Sequence, residues 1–238
     1  MANGTQGGKT VSKMVTPAVR ARSRQHFGCD TLEGAEIEDG GGSGTAGSHL
    51  EKRIFMNEFM TGTASREPVF SAITLAVFED SGWYRAVLVL KTLVQALFIL
   101  IPETICTSKH GCKGMRRFNN LFWDPGVNYD GAQTIRFGNG LGCTFSSARC
   151  SSWPKLAQDR GFVCWTEGAK GCTGNDHAFK GYCNIVSYSS SLPSQFQYFS
   201  SGSKGGSDQT ADFCPYMSGY SNGDCRLQTN APSSTWLL

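Results

Sequence analysis

The sequence predicts an α+β fold, with helices in the first third and short cross-linked strands and loops after them. Three observations predict it. Two stretches before residue 85 carry helix start and stop signals. Beyond residue 127, short apolar or aromatic runs alternate with Gly, Ser, Asn and Cys, the pattern of short strands and turns. Seven of the ten cysteines lie after residue 140, which favours an oxidised, secreted context. At 238 residues the chain can build a real core in one or two domains.

The opening M-A-N-G-T-Q-G-G-K-T has no apolar run. It reads as a disordered start, and no signal peptide is visible in it. Thr16-Pro17 then opens a helix, with Thr as N-cap and Pro in the first turn, and Gly28 stands where a left-handed C-cap is needed. From Glu33 to Thr45 the chain is acidic and then glycine-rich. Such a loop can bring backbone close to a metal or a substrate; a flexible linker is the alternative. Pro68 opens a second helix and Gly82 closes it. Val69, Ile73, Ala76 and Val77 give it one apolar side, with Asp80 breaking the stripe.

Charge is low, 17% of residues, and the net charge is +3. That is too small to imply a nucleic-acid partner. Residues 1–28 hold five Lys or Arg and no acid, whereas Asp30 to Asp39 holds five acids and no base. These runs read as two solvated faces. Ala86 to Ile101 is mostly apolar and includes Lys91 and Gln95. It falls short of the ~20 residues a membrane-spanning helix needs, so it reads as an apolar helix, with membrane contact as the alternative. Cys106, His110 and Cys112 follow it in a tight loop, a spacing that arises by chance and is not read as a metal site.

The four histidines are His26, His49, His110 and His177, and no two are four apart, so H-E-x-x-H does not occur. His26 reads as an exposed histidine near a helix C-terminus, and His177 as a surface residue. His26 and Cys29 share one helical face, but a cysteine protease is a remote reading of that pair. His49 follows the glycine run G-G-G-S-G-T-A-G-S, and Met60 comes eleven residues later.

G-C-D-T-L-E-G-A-E-I-E-D (28–39), the glycine run, His49, the E-F-M of Glu58 to Met60 and A-I-T-L-A-V-F-E-D-S-G-W-Y (72–84) occur in that order. F-G-N-G-L-G-C (137–143), Q-Y-F (197–199), F-C-P-Y-M (213–217) and Y-S-N-G-D-C (220–225) follow. Together they resemble the leishmanolysins, the zinc-dependent major surface proteases of trypanosomatids, over about Val11 to Arg85 and Val127 to Cys225. The resemblance implies a disordered start (1–10), a partial metzincin-like catalytic domain (11–85), a non-family apolar insertion (86–126) and a truncated, disulfide-stapled β/loop domain (127–238).

By the same resemblance His49 is the third zinc ligand, and Met60 is the methionine of the turn beneath the metal, packed over the second helix. The first two zinc histidines, the general-base glutamate and the C-terminal lipid-anchor signal of the family have no match. Zinc is therefore a family cofactor that this chain is not expected to bind tightly, and the chain alone is expected to be inactive. The implied partners are peptide or protein substrates, with membrane association through a cell-surface or secreted location. A non-catalytic cysteine-rich adhesion module is the rival reading. The implied disulfides are Cys29–Cys143, Cys150–Cys214 and Cys164–Cys183. Cys172 and Cys225 match family cysteines whose partners lie beyond Leu238, so no pairing is implied for them, nor for Cys106 and Cys112.

Overall fold

The computed structural model describes residues 1–6, 9–65, 68–86, 126–127, 132–174 and 179–224. The expectations for Cys106, His110, Cys112, His177, Cys225 and the apolar run after Ala86 lie outside the described residues. Within them the fold mixes helix and sheet.

The opening is not disordered. β1 (Ala2–Gln6) and β2 (Lys9–Met14) pair antiparallel, and β2 pairs in turn with β3 (Ala35–Ile37). Val11 is buried, and Lys13 reaches Glu33 at 2.6 Å. The β2 ladder and these tethers order residues whose composition alone reads as a tail.

α1 (Pro17–Phe27) starts at the expected proline and ends at Gly28, which is left-handed at φ 67°. Thr16 does not cap it with its side chain. Asp80 does, from the end of α3 (Ala72–Asp80): its carboxylate accepts from the N–H of Ala18 at 3.1 Å and of Val19 at 2.9 Å. A carboxylate here satisfies unpaired amides and complements the helix dipole. α3 itself begins four residues after Pro68, because Val69 is in a bridge with Glu58 and Ser71 takes the N-cap role, accepting from Ile73 and Thr74.

Beyond α3, β4 (Arg85–Ala86) lies parallel to β5 (Gly126–Val127). α4 (Gly142–Ser147) and α5 (Lys155–Asp159) follow. β6 (Lys170–Cys172), β7 (Phe179–Cys183) and β10 (Met217–Asp224) form one sheet in the order β10-β7-β6. β8 (Ile185–Ser187) and β9 (Lys204–Gly206) form a hairpin pair. Three disulfides tie these parts: Cys29–Cys143, Cys150–Cys214 and Cys164–Cys183, with Cα separations of 4.8, 6.2 and 5.8 Å. They are the pairs that the resemblance implies.

One core crosses the boundary drawn at residue 127. Phe27, Phe55 and Ile73 from the first part pack with Phe137, Phe145, Trp153 and Phe162 from the second. The Cys29–Cys143 bridge lies beside this seam, as does His26. His26 is not the exposed histidine expected from its place near a helix end. It is half-buried, its Nε2 lies 2.9 Å from the Phe137 carbonyl, and its own carbonyl accepts from Gly140 N–H at 2.9 Å. A carbonyl can only accept, so Nε2 carries the proton.

Burial pushes the His26 pKa down to about 4, against the Phe137 hydrogen bond, which raises it. Between the ordinary histidine value and about 4, the unfolded chain binds a proton that the folded chain does not. Stability from this site is therefore complete above that window and falls as the pH falls through it. His26→Gln keeps a donor for Phe137 and does not titrate. Urea unfolding at neutral pH and near the bottom of the window is expected to show the unmodified protein losing about 2 kcal/mol more than the variant on acidification.

Candidate functional site

The glycine-rich loop is a built turn. Ile37 and Leu50 form an antiparallel bridge across its base, Glu38 N–H donates to the His49 carbonyl at 2.9 Å, and Gly47 N–H returns to the Glu38 carbonyl at 2.8 Å. The Glu38 carboxylate accepts from Gly40 N–H at 2.7 Å and Lys52 N–H at 3.3 Å. Burial pushes Glu38 up to about 7. Opposite the loop stands Gly62, where a Cβ would strike the Thr45 side chain, so only glycine lets the two turns meet this closely.

His49 projects from the end of this loop. Its Nδ1 lies 2.9 Å from Ser48 Oγ and 3.2 Å from the Thr45 carbonyl. A carbonyl can only accept, so the Thr45 contact calls for the tautomer with the proton on Nδ1, and among the described residues no group bonds Nε2. The next residue, Leu50, donates its N–H to the Met60 carbonyl at 2.8 Å. His49 and Met60 are thus neighbours through one main-chain bond. Met60 is partly buried and packs against the main core.

The Met60 turn is held by Glu58. This buried carboxylate accepts from Met60 N–H at 2.5 Å, from Ser71 Oγ at 2.7 Å and from Thr74 Oγ1. Burial raises its pKa, and the hydrogen bonds from Thr74, Ser71 and Met60 oppose that rise. The Glu58 carboxylate therefore bonds the start of α3 to the Met60 turn.

Beyond the loop lies a buried ion cluster. Arg53, in α2 (Lys52–Phe55), gives Nη2 to Glu36 at 2.5 Å, Nε to Asp212 at 3.0 Å and Nη1 to the Ala148 carbonyl at 3.0 Å. Lys9 reaches Asp212 and Asp39 at 2.7 Å and Glu51 at 3.3 Å. Burial alone would lower the Lys9 pKa, but Glu51, Asp212 and Glu36 outweigh it and raise it. Burial and the Asp212 and Glu36 charges push Glu51 well above the usual carboxylate range. The two charge runs of the sequence are therefore solvated only in part: Arg20, Asp30, Glu33 and Asp39 are exposed. Lys9 and Lys13 from the basic run and Glu36 and Glu38 from the acidic run are buried. β2 and β3 are adjacent strands, and their opposite charges meet across the ladder and beyond it.

Among the described residues, the groups that place three potential metal ligands together are Glu36–Glu51–Asp212 and Glu38–Asp39–Glu51. Neither includes His49, and Lys9 sits among the carboxylates of both. His26 is turned to Phe137 and is not part of the His49 site. The sequence reading missed Glu58 and the cluster. A carboxylate inside the apolar N-E-F-M, and an arginine inside K-R-I-F, were the available signals: charges embedded in buried runs need partners.

The glycine-rich turn that carries His49 is thus joined to the Met60 segment by one main-chain bond. The sequence model of leishmanolysin (peptidase M8) matches residues 2–92 and 115–236. The chain belongs to the leishmanolysin family. The match is wider than the resemblance drawn from motifs: it includes the opening strands and extends into both ends of the segment taken as foreign, leaving 93–114 unmatched. A leishmanolysin-like peptidase of Drosophila pseudoobscura pseudoobscura is 38% identical over 226 residues, covering 88% of this chain and 27% of that protein. One from Caenorhabditis elegans is 34% identical, covering 87% of this chain and 28% of that protein. Leishmanolysin of Leishmania tropica is 30% identical, covering 89% and 26%. The chain thus spans under a third of the length of these relatives. The family is one of zinc metallopeptidases, and it reaches beyond trypanosomatids to insects and nematodes.

Arg53→Ala leaves Glu36 and Asp212 buried without their guanidinium. It is expected to cost about 3–5 kcal/mol in urea unfolding. Lys52→Ala removes a more exposed pair with Asp208 and is expected to cost about 1 kcal/mol or less.

Proposed function

We propose that these residues are the C-terminal part of the catalytic unit of a zinc metalloendopeptidase, with the disulfide-bonded region packed directly upon it. His49 supplies one zinc ligand and Met60 forms the turn beneath it. The carrying observation is the setting of the His49 ring: Nδ1 lies on the Thr45 carbonyl and Ser48 Oγ, and among the described residues no group bonds Nε2. Metal-binding histidines are oriented in this way, the second nitrogen donating to a carbonyl. The residues present therefore fit zinc as one ligand of the three a catalytic site needs. When bound, the metal would supply a water of lowered pKa. The chain's own contribution is to orient the imidazole and to seat the turn below it.

The substrates on this reading are peptides or proteins, and the setting is the cell surface or the secreted space, as the resemblance implies. Among the described residues no helix is long and apolar enough to cross a membrane. The cysteine-rich part as a self-standing adhesion module is less well supported. Its Phe137, Phe145 and Trp153 lie in the same core as Phe27 and Phe55, so cutting the two apart would expose both faces.

Residues 1–238 refolded with their disulfides are expected to show no peptidase activity and no tight stoichiometric zinc by elemental analysis. In a zinc titration followed by NMR, the ring of His49 is expected to respond at millimolar metal. A His49 ring that stays silent, while another group takes up the metal, removes the assignment.

A further inference from the structure

Glu58 is a buried acid with an unusual set of partners. Among the described residues no Lys or Arg pairs with it. Its carboxylate is instead filled by three neutral donors: Ser71 Oγ, Thr74 Oγ1 and the Met60 N–H. A buried carboxylate is costly unless its oxygens are satisfied, and charge-assisted bonds of this kind are the stronger ones. The main chain of the same residue adds to the hold. Thr61 donates to the Glu58 carbonyl through its N–H at 3.1 Å and through its hydroxyl at 2.8 Å. Glu58 also bridges Val69, and Phe59 N–H donates to the Val69 carbonyl at 2.9 Å.

The partners form a continuous path. Ser71 is the N-cap of α3 and Thr74 stands in its first turn. The Glu58 carboxylate connects them to the Met60 N–H. The Met60 carbonyl accepts from Leu50 N–H, and Leu50 follows His49. Each step is one hydrogen bond, and the far end is the imidazole whose Nε2 is available. α3 is anchored independently, since its Asp80 caps α1. The path therefore starts on a packed helix and ends on a loop that has little side-chain packing of its own.

We infer that Glu58 is a positioning residue, which fixes the Met60 turn, and through it His49, against the first turn of α3. This rests on the reading of His49 as a zinc ligand. The carboxylate does not touch metal or substrate. It keeps the turn and the imidazole in one register, so that the ring is presented in a single orientation. An oxygen acceptor facing Met60 N–H is the essential part of the side chain. Leucine has the volume without the acceptor. Glutamine can turn its carbonyl to Met60 and its amide to the two hydroxyls, so it can replace the acid.

The test uses the whole 238-residue chain, with its disulfides, as Glu58→Leu and Glu58→Gln beside the unmodified protein. Amide exchange of Met60 and Leu50 is expected to quicken about tenfold or more in Glu58→Leu, while the amides of β7 keep their rates. The Met60 methyl and His49 ring resonances should shift, and the His49 response to zinc chloride should weaken about tenfold, as for a ligand whose supporting hydrogen bonds are lost. Glu58→Gln should restore all of these. Unchanged exchange and an unchanged zinc response in Glu58→Leu overturn the inference, as does a loss that Gln does not restore. If Glu58→Leu does not fold, the unmodified chain decides: a Met60 amide that exchanges as fast as an open loop overturns it. A His49 ring that ignores zinc in the unmodified chain overturns the ligand reading and the positioning role together, whereas a response equal in all three proteins overturns the role of Glu58 alone.

Discussion

The rest of the structure depends on the burial of Arg53. Its guanidinium spends its donors on Glu36 in β3, Asp212 near the end of the chain and the Ala148 carbonyl after α4. The Asp212 contact spans 159 residues of sequence. Lys9 enters the same carboxylates from β2. Desolvating these charges is expensive, and the attraction between them offsets it only where the geometry is good and the remaining polar atoms are satisfied. A lysine at 53 would present a point charge where a planar fork meets three acceptors. The cluster is thus better understood as a lock on topology than as a source of net stability. It fixes the opening strands, the short helix after His49 and the turn at 208–212 in one arrangement.

That lock is what allows the candidate site to be irregular. Glu36 and Glu38 lie before the glycine-rich loop, and Glu51 and Arg53 lie after it. Glu51 N–H donates to the Glu36 carbonyl at 3.0 Å, and Glu38 N–H donates to the His49 carbonyl. Both ends of the loop are therefore pinned before the loop itself contributes anything. Three glycines with positive φ, at 41, 42 and 47, then shape it at little steric cost. An unpinned loop of this composition would hold His49 in many orientations. Pinned, it presents the imidazole with Nδ1 already committed.

What the sequence disclosed follows the range of the interactions. Local signals were legible: Pro17 and Gly28 bounded α1, and the order of His49, Met60 and the helix after it marked the family. Interactions over long separations were not. Nothing near Lys9 shows that it meets Asp212, so a basic run beside an acidic run read as two wet faces. Asp80 looked like a break in an apolar stripe, because its partners are the amides of α1. His26 looked exposed, because the Phe137 carbonyl that covers it comes from beyond residue 130. Each misreading concerns a polar group whose partner is distant in sequence, and buried polar groups require such partners.

β4 and β5 pair Arg85 with Gly126 and Ala86 with Val127, so the described chain leaves and re-enters the fold at one place. Just beyond, Gln133 N–H donates to the Phe70 carbonyl at 2.8 Å, beside the N-cap of α3. The core runs from Ile73 and Ala76 in α3 to Ile135 and Phe137. The Cys29–Cys143 bridge and the shared aromatic core hold the two sides together.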